Sequence, residues 1–259
     1  MKKSFRVSRY KVFSSYFSFG IVAVAGILLN IFIIKFYNLN VLGKFNFFYG
    51  IMIVFSQFCV GGIQFSVLRY SSNYSNDLKK ISTIVASALF LLIIYFIAIF
   101  FVYLVFEDSL LKLFKIYKEA INIKIILFST LIFASNKIFL MCINGLNLIY
   151  NLSFFSALRY VVLFLSVVTF FNLNINVSMI IICILVSELI TFLCLIFWFF
   201  FKVVISKVTI FWIKKHFKFG LQAMFGGALI EINTRIDILM IGIILGYNSV
   251  GIYSFASMI

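Results

Sequence analysis

The chain contains no proline, one histidine (His216) and only seven acidic residues among 259. Charged residues make up 11% of it, against roughly a quarter in soluble domains. Its four cysteines, Cys59, Cys142, Cys183 and Cys194, form no CxxC pair and no Cys/His cluster. These shortages exclude a metal centre built on cysteine and histidine, and a disulfide framework. No GxSxG, P-loop, HExxH or paired-aspartate motif occurs, so no catalytic residues, metal or cofactor are assigned. What fills the space is apolar: 64% of residues are hydrophobic and the mean hydropathy is +1.19. Apolar runs of about 20 residues recur along the whole length, which is the pattern of membrane-spanning helices. The cysteines fall inside these runs and read as small apolar residues.

The runs predict helices at 12–34, 45–68, 81–106, 121–144, 155–172, 176–201 and 218–246, with an eighth beginning near Val250. Asparagine and glycine supply the turns, as in NLN at 38–40, NGLN at 144–147 and NLNIN at 172–176. The basic N-terminal stretch, MKKSFRVSRYK, leads into a long apolar segment without a small-residue cleavage site and reads as an uncleaved first helix. With the N-terminus in the cytoplasm, the inner segments carry fourteen basic residues, Arg159 among them, and the outer segments six. Cytoplasmic loops are enriched in Lys and Arg, so this asymmetry favours an inside N-terminus. Much of the net charge of +15 is therefore topology and not a nucleic-acid surface. Two connections, SLLKLFKIYKEA at 109–120 and KVTIFWIKKHFKF at 207–219, read as amphipathic helices anchored at the membrane surface.

The charges inside the apolar runs carry the functional signal. A charge at mid-bilayer costs about 2.5–3.5 kcal/mol on insertion scales, and usually faces a bundle interior or water. EINTRIDILMIG, 231–242, places Glu231, Arg235 and Asp237 inside one run. The apolar stretches on either side span roughly 18 Å and 13 Å as helix, so neither crosses a 30 Å core alone. One helix through both places the charges near the midplane. A competing reading has a loop at 231–237 and a new span from Ile238. In a helix Glu231 and Arg235 share one face, as an i,i+4 pair, and Asn233 and Asp237 share another. Glu188 lies deep in the sixth helix. Asn136 and Lys137 lie in the fourth, where Lys137 is near enough to the inner end to snorkel. Asn30, Gln57 and Gln64 suit interhelical hydrogen bonds.

An internal repeat is legible. NVLGKFNFFYGIM (40–52) matches NSVGIYSFASMI (248–259), and aligning Gly43 with Gly251 gives an offset of 208 residues. Six spans separate the copies, so both run in the same direction, as in parallel transporter repeats.

RIDILMIGIILGYNSVGIYSFASMI (235–259), LGKFNFFYG (42–50) and GGIQFSVLRYSS (61–72) resemble the bacterial polysaccharide-export proteins. That family includes the O-antigen flippases and belongs to the superfamily that also holds multidrug antiporters. The resemblance implies an all-α polytopic membrane protein of antiparallel helices, flippase- and antiporter-like. A six-helix lobe (1–206) is followed by an amphipathic linker, a seventh helix and the start of an eighth (207–259). Family members have two six-helix lobes, so the chain reads as lacking most of the second. The resemblance implies translocation of undecaprenyl-diphosphate-linked oligosaccharide across the bacterial plasma membrane, for O-antigen and other lipopolysaccharide or polysaccharide assembly, beside a polymerase and glycosyltransferases. Arg235 and then Lys137 are the expected substrate-binding cations. Glu231, Asp237, Asn233 and Glu188 are expected to serve coupling or to shape the polar interior. A cation-coupled multidrug antiporter is the alternative function. A membrane-embedded polymerase or transferase fits less well, because the outer loops are short.

Overall fold

A computed structural model describes residues 9–113, 120–202 and 207–257. Half of the first amphipathic connection, 114–119, lies outside them, as do the first eight residues. The helices are α1 (Arg9–Phe36), α2 (Leu39–Val60), α3 (Ile63–Asn73), α4 (Leu78–Leu113), α5 (Ala120–Gly145), α6 (Ile149–Asn172), α7 (Ile182–Lys202), α8 (Ile210–Leu245) and α9 (Tyr247–Ala256). No strand occurs among the described residues. Six of these helices (α1, α2, α4, α5, α6 and α7) are long and apolar enough to cross a membrane. The protein is thus an all-α, multi-pass membrane protein. The polar insert at 231–237 keeps α8 out of that set despite its 36 residues.

Asparagine takes over the roles that proline and glycine usually hold at helix ends. Asn38 caps α2 by accepting a hydrogen bond from the Val41 amide at 2.8 Å. Asn147 (φ 58°) and Asn174 (φ 52°) adopt the left-handed conformation that ends α5 and α6. Asp77 accepts from the Lys80 amide at 3.0 Å at the start of α4. That bond, aided by the Lys80 ammonium, holds the Asp77 carboxyl below its usual range.

Three features depart from the sequence reading. The second span is broken: Gly61 (φ 52°) and Gly62 (φ 73°) are both left-handed and separate α2 from α3. Two consecutive residues at positive φ are tolerable only for glycine. A Cβ at Gly61 would run into the Tyr95 ring, and one at Gly62 into the Gly220 carbonyl of α8. Second, α8 is a single helix, so the amphipathic 207–219 segment and the seventh span are continuous and the loop reading at 231–237 is excluded. Third, α6 begins at Ile149, six residues before the expected start, while 177–179 form a 3-10 turn and not the first turn of α7.

The core is organised on α2, whose Phe45, Phe47, Phe48 and Met52 are fully buried. Lipid is as apolar as leucine, so helices in a membrane associate through van der Waals fit and polar contacts. The crossings accordingly use glycine. Gly43 of α2 meets Tyr247 and Gly251 of α9, and Gly62 meets Gly220 of α8. Trp212, His216 and Gly220 recur every fourth residue on the buried face of α8. Among them, His216 Nδ1 lies 2.8 Å from Ser66 Oγ of α3, and its Nε2 lies 3.1 Å from the Ile84 carbonyl of α4. A carbonyl only accepts, so Nε2 carries the proton and Nδ1 accepts from the serine. This bond set fixes the N-terminal end of α8 to α3 and α4. Cys59, Cys142 and Cys183 are buried and all four cysteines are free.

Candidate functional site

The two faces of the α8 insert meet different surroundings. Asn233 and Asp237 are exposed on the face turned from the helix bundle. There Tyr253 of α9 donates a 2.8 Å hydrogen bond to Asp237 Oδ2. Glu231 and Arg235 face the bundle but do not pair with each other. Glu231 accepts from Lys137 Nζ of α5 at 2.9 Å. Arg235 lies over the Tyr49 ring of α2, 5.8 Å from its centroid.

Lys137 therefore does not snorkel. It sits about eight residues, roughly 12 Å, before the end of α5. Its ammonium turns sideways to α8 and rests 4.9 Å from the Phe133 ring centroid. The Lys137 and Glu231 side chains are 16% and 29% exposed. Removing either would strand its partner at depth, a loss of several kcal/mol for fully buried pairs and less for one this accessible.

A second charged pair lies deeper. Glu188 of α7 is fully buried. Asn136 Nδ2 of α5 donates to its carboxylate at 2.9 Å and to its backbone carbonyl at 3.0 Å. Its other carboxylate oxygen lies 3.8 Å from Nε of Arg159 on α6, and neither of these two atoms has a hydrogen bond among the described residues. The Arg159 guanidinium packs 4.9 Å over Phe133 and 5.1 Å over Tyr160. Phe133 thus carries a cation contact from each pair. Sequence reasoning placed Arg159 in a cytoplasmic segment. Because α6 starts six residues earlier, Arg159 instead lies about ten residues, roughly 15 Å, inside the helix. Its depth matches that of Lys137 on the antiparallel neighbour α5. The Asn147 turn signal, taken with the ordinary length of a span, held the information that would have found it.

A cavity of about 340 Å³ opens between α1, α2, α6 and α8. Its polar lining is Asn30, Asn46, Tyr49, Tyr160 and Arg235. Asn46 donates to Asn30 Oδ1 at 3.2 Å, and Asn30 in turn donates to the Gly26 carbonyl at 2.7 Å. Asn30 thus makes the interhelical contact its sequence position suggested. Gln64 instead donates to Gln57 at 3.1 Å across the α2–α3 break, within one span. Arg235 Nε is buried and lacks a hydrogen-bond partner among the described residues. A cation, amide groups and two phenols can hold a compact anion, and small-molecule sites begin near this volume. No lining residue carries a negative charge. No cluster of His, Cys, Asp or Glu that could hold a metal occurs among the described residues.

Of the sequence-derived site residues, the structure brings Lys137 and Glu231 together. Arg235 faces the cavity, Glu188 joins Asn136 and Arg159, and Asp237 and Asn233 stand apart on the outer face. The profile of the family described as polysaccharide biosynthesis protein matches residues 9–259. No curated protein and no solved structure matches the chain.

Proposed function

The chain belongs to the polysaccharide biosynthesis protein family, and on that premise we propose that it is a transporter, not an enzyme, that flips a lipid-linked oligosaccharide across the bacterial plasma membrane. The substrate class is an undecaprenyl-diphosphate-linked sugar chain of the O-antigen or lipopolysaccharide type. It is made by glycosyltransferases on the cytoplasmic side, where the N-terminus lies, and used by a polymerase on the other. The observation that carries this reading is Arg235, a cation that lines a polar cavity inside a membrane bundle with no acidic residue in its lining. A diphosphate supplies the complementary anion, while the sugar chain exceeds the cavity and extends from it. Lys137 is the second cation, held in reserve by Glu231. Glu231, Glu188 and Asp237 are the candidates for coupling to protons or cations, with Asn233 beside Asp237. A cationic drug would meet the wrong sign at Arg235, which disfavours the multidrug antiporter alternative.

The test is complementation of a flippase-deficient strain. Arg235→Ala is expected to abolish surface polysaccharide while membrane insertion stays normal. Normal polysaccharide at normal expression overturns the assignment.

A further inference from the structure

We propose that Arg159 is a substrate-binding cation held behind the cavity wall by Glu188, and that an anionic group entering the cavity takes Arg159 over from Glu188. The inference rests on the flippase reading, since it names a further residue for the same site.

The geometry begins with an incomplete pair. Buried arginine–carboxylate pairs usually meet through short, often bidentate hydrogen bonds of 2.7–2.9 Å. Here the approach is 3.8 Å, and both the Arg159 Nε and the Glu188 oxygen facing it are buried without a hydrogen bond among the described residues. An ion pair in this state has given up its water on both sides and gained only part of the compensating energy. Glu188 does not depend on Arg159 alone. Asn136 donates to its second oxygen at 2.9 Å, and Lys137 stands near enough to interact with its charge. Asn136 therefore keeps one carboxylate oxygen bonded when Arg159 moves, while the oxygen that faced Arg159 loses its counter-charge.

What lies between Arg159 and the cavity is a pair of tyrosines. Tyr160 lines the cavity and its ring stacks under the Arg159 guanidinium at 5.1 Å. Tyr49 also lines the cavity, lies near Arg159, and carries Arg235 on its ring at 5.8 Å. The two arginines thus flank one tyrosine wall, one on the cavity side and one behind it. A guanidinium is planar, always charged and suited to bidentate phosphate contact. A diphosphate bears charge on two phosphoryl groups, so a second arginine beside Arg235 matches the ligand better than one alone. Tyr160, which lines the cavity, is the side chain in direct contact with Arg159.

The charges predict opposite responses from two neighbouring substitutions, which a merely structural pair would not give. The full chain is purified in mild detergent and titrated with radiolabelled farnesyl diphosphate in equilibrium dialysis, with farnesol as the uncharged control. Arg159→Gln is expected to weaken diphosphate binding about tenfold to a hundredfold, the loss of charge-assisted hydrogen bonds. Glu188→Gln removes the competing anion and is expected to tighten binding several-fold, with farnesol unaffected by either. Unchanged binding in Arg159→Gln, or weaker binding in Glu188→Gln, overturns the proposal. Should Arg159→Gln not yield folded protein, the direction of the Glu188→Gln effect decides alone. Arg235→Ala separates the two levels of inference. If the wild-type protein does not bind farnesyl diphosphate better than farnesol, or Arg235→Ala changes nothing, the flippase reading itself fails. If binding needs Arg235 and ignores Arg159 and Glu188, only this proposal fails.

Discussion

Gly43 of α2 and Gly251 of α9 lie against each other in a reciprocal contact. A Cβ on Gly43 would land on the Tyr247 carbonyl, and a Cβ on Gly251 on the Leu39 carbonyl. Leu39 and Tyr247 are the first residues of α2 and α9, and they stand in the same 208-residue offset as the two glycines. Equivalent positions of the two repeat copies therefore touch each other's equivalents, which is the signature of a two-fold relationship through the crossing. The repeat seen in the sequence is thus also a packing element.

Because the contact is backbone on backbone, neither glycine can accept even a methyl group without separating the helices. Gly43→Ala and Gly251→Ala are each expected to destabilise the protein by about 1–3 kcal/mol, the range for overpacking. The two effects should be of similar size, since the contact is reciprocal. Thermal unfolding in detergent reads both, and an unchanged Tm in either variant rules out this crossing.

The Lys137–Glu231 bond ties α5 to α8 across 94 positions of sequence. A double-mutant cycle of Lys137→Ala and Glu231→Ala is expected to return a coupling of about 1–2 kcal/mol. That lies between the values for exposed and buried pairs. The charge-reversed pair Lys137→Glu with Glu231→Lys should recover part of the stability lost by either reversal alone. A coupling near zero would mean that the two charges act independently.

At the α2–α3 break, Gly61→Ala carries both a left-handed backbone and a clash with Tyr95. A non-glycine residue costs roughly 1–2 kcal/mol there before any clash is counted. Gly61→Ala and Gly62→Ala should therefore each lower Tm, whereas alanine at Gly20 or Gly26, where a Cβ meets nothing within 4 Å, should not. Helix propensity favours alanine at those two sites. A stabilising Gly61→Ala would show the second span to be one continuous helix.

His216 satisfies two buried groups at once. His216→Phe leaves the Ser66 hydroxyl and the Ile84 carbonyl without this partner, at about 1–3 kcal/mol for each buried group left unsatisfied. Adding Ser66→Ala to His216→Phe should recover part of the loss, because an apolar pair no longer buries an unmatched hydroxyl. Equal stability of the single and double variants would show that the hydroxyl is not confined to this bond.

Much of the architecture was legible in the sequence because the bilayer imposes it locally. The length of an apolar run and asparagine at its ends read the same in isolation as in the fold. The spacing of EINTRID likewise placed Glu231 and Arg235 on one face of α8 and Asn233 and Asp237 on another, and the contacts of Lys137, Tyr49 and Tyr253 follow that division. In the sequence Gly61–Gly62 suit either close packing or bending, and nothing there states that two neighbours take positive φ. Only the proximity of Tyr95 and Gly220 does.

The sequence by itself determined that this is a multi-pass helical membrane protein with a repeated glycine motif and a polar insert within an apolar helix. Each of these follows from periodicity and length within one segment. The tertiary structure decided the partners. It gave Glu231 to Lys137 and not to Arg235, left Arg235 facing a cavity, and moved Arg159 from the inner edge of a span to a buried carboxylate. The physical reason is that a charge in a membrane interior takes the counter-charge that the neighbouring helix brings to its own depth. That depth depends on where each helix begins: a six-residue shift at the start of α6 moves Arg159 by roughly 9 Å along the membrane normal.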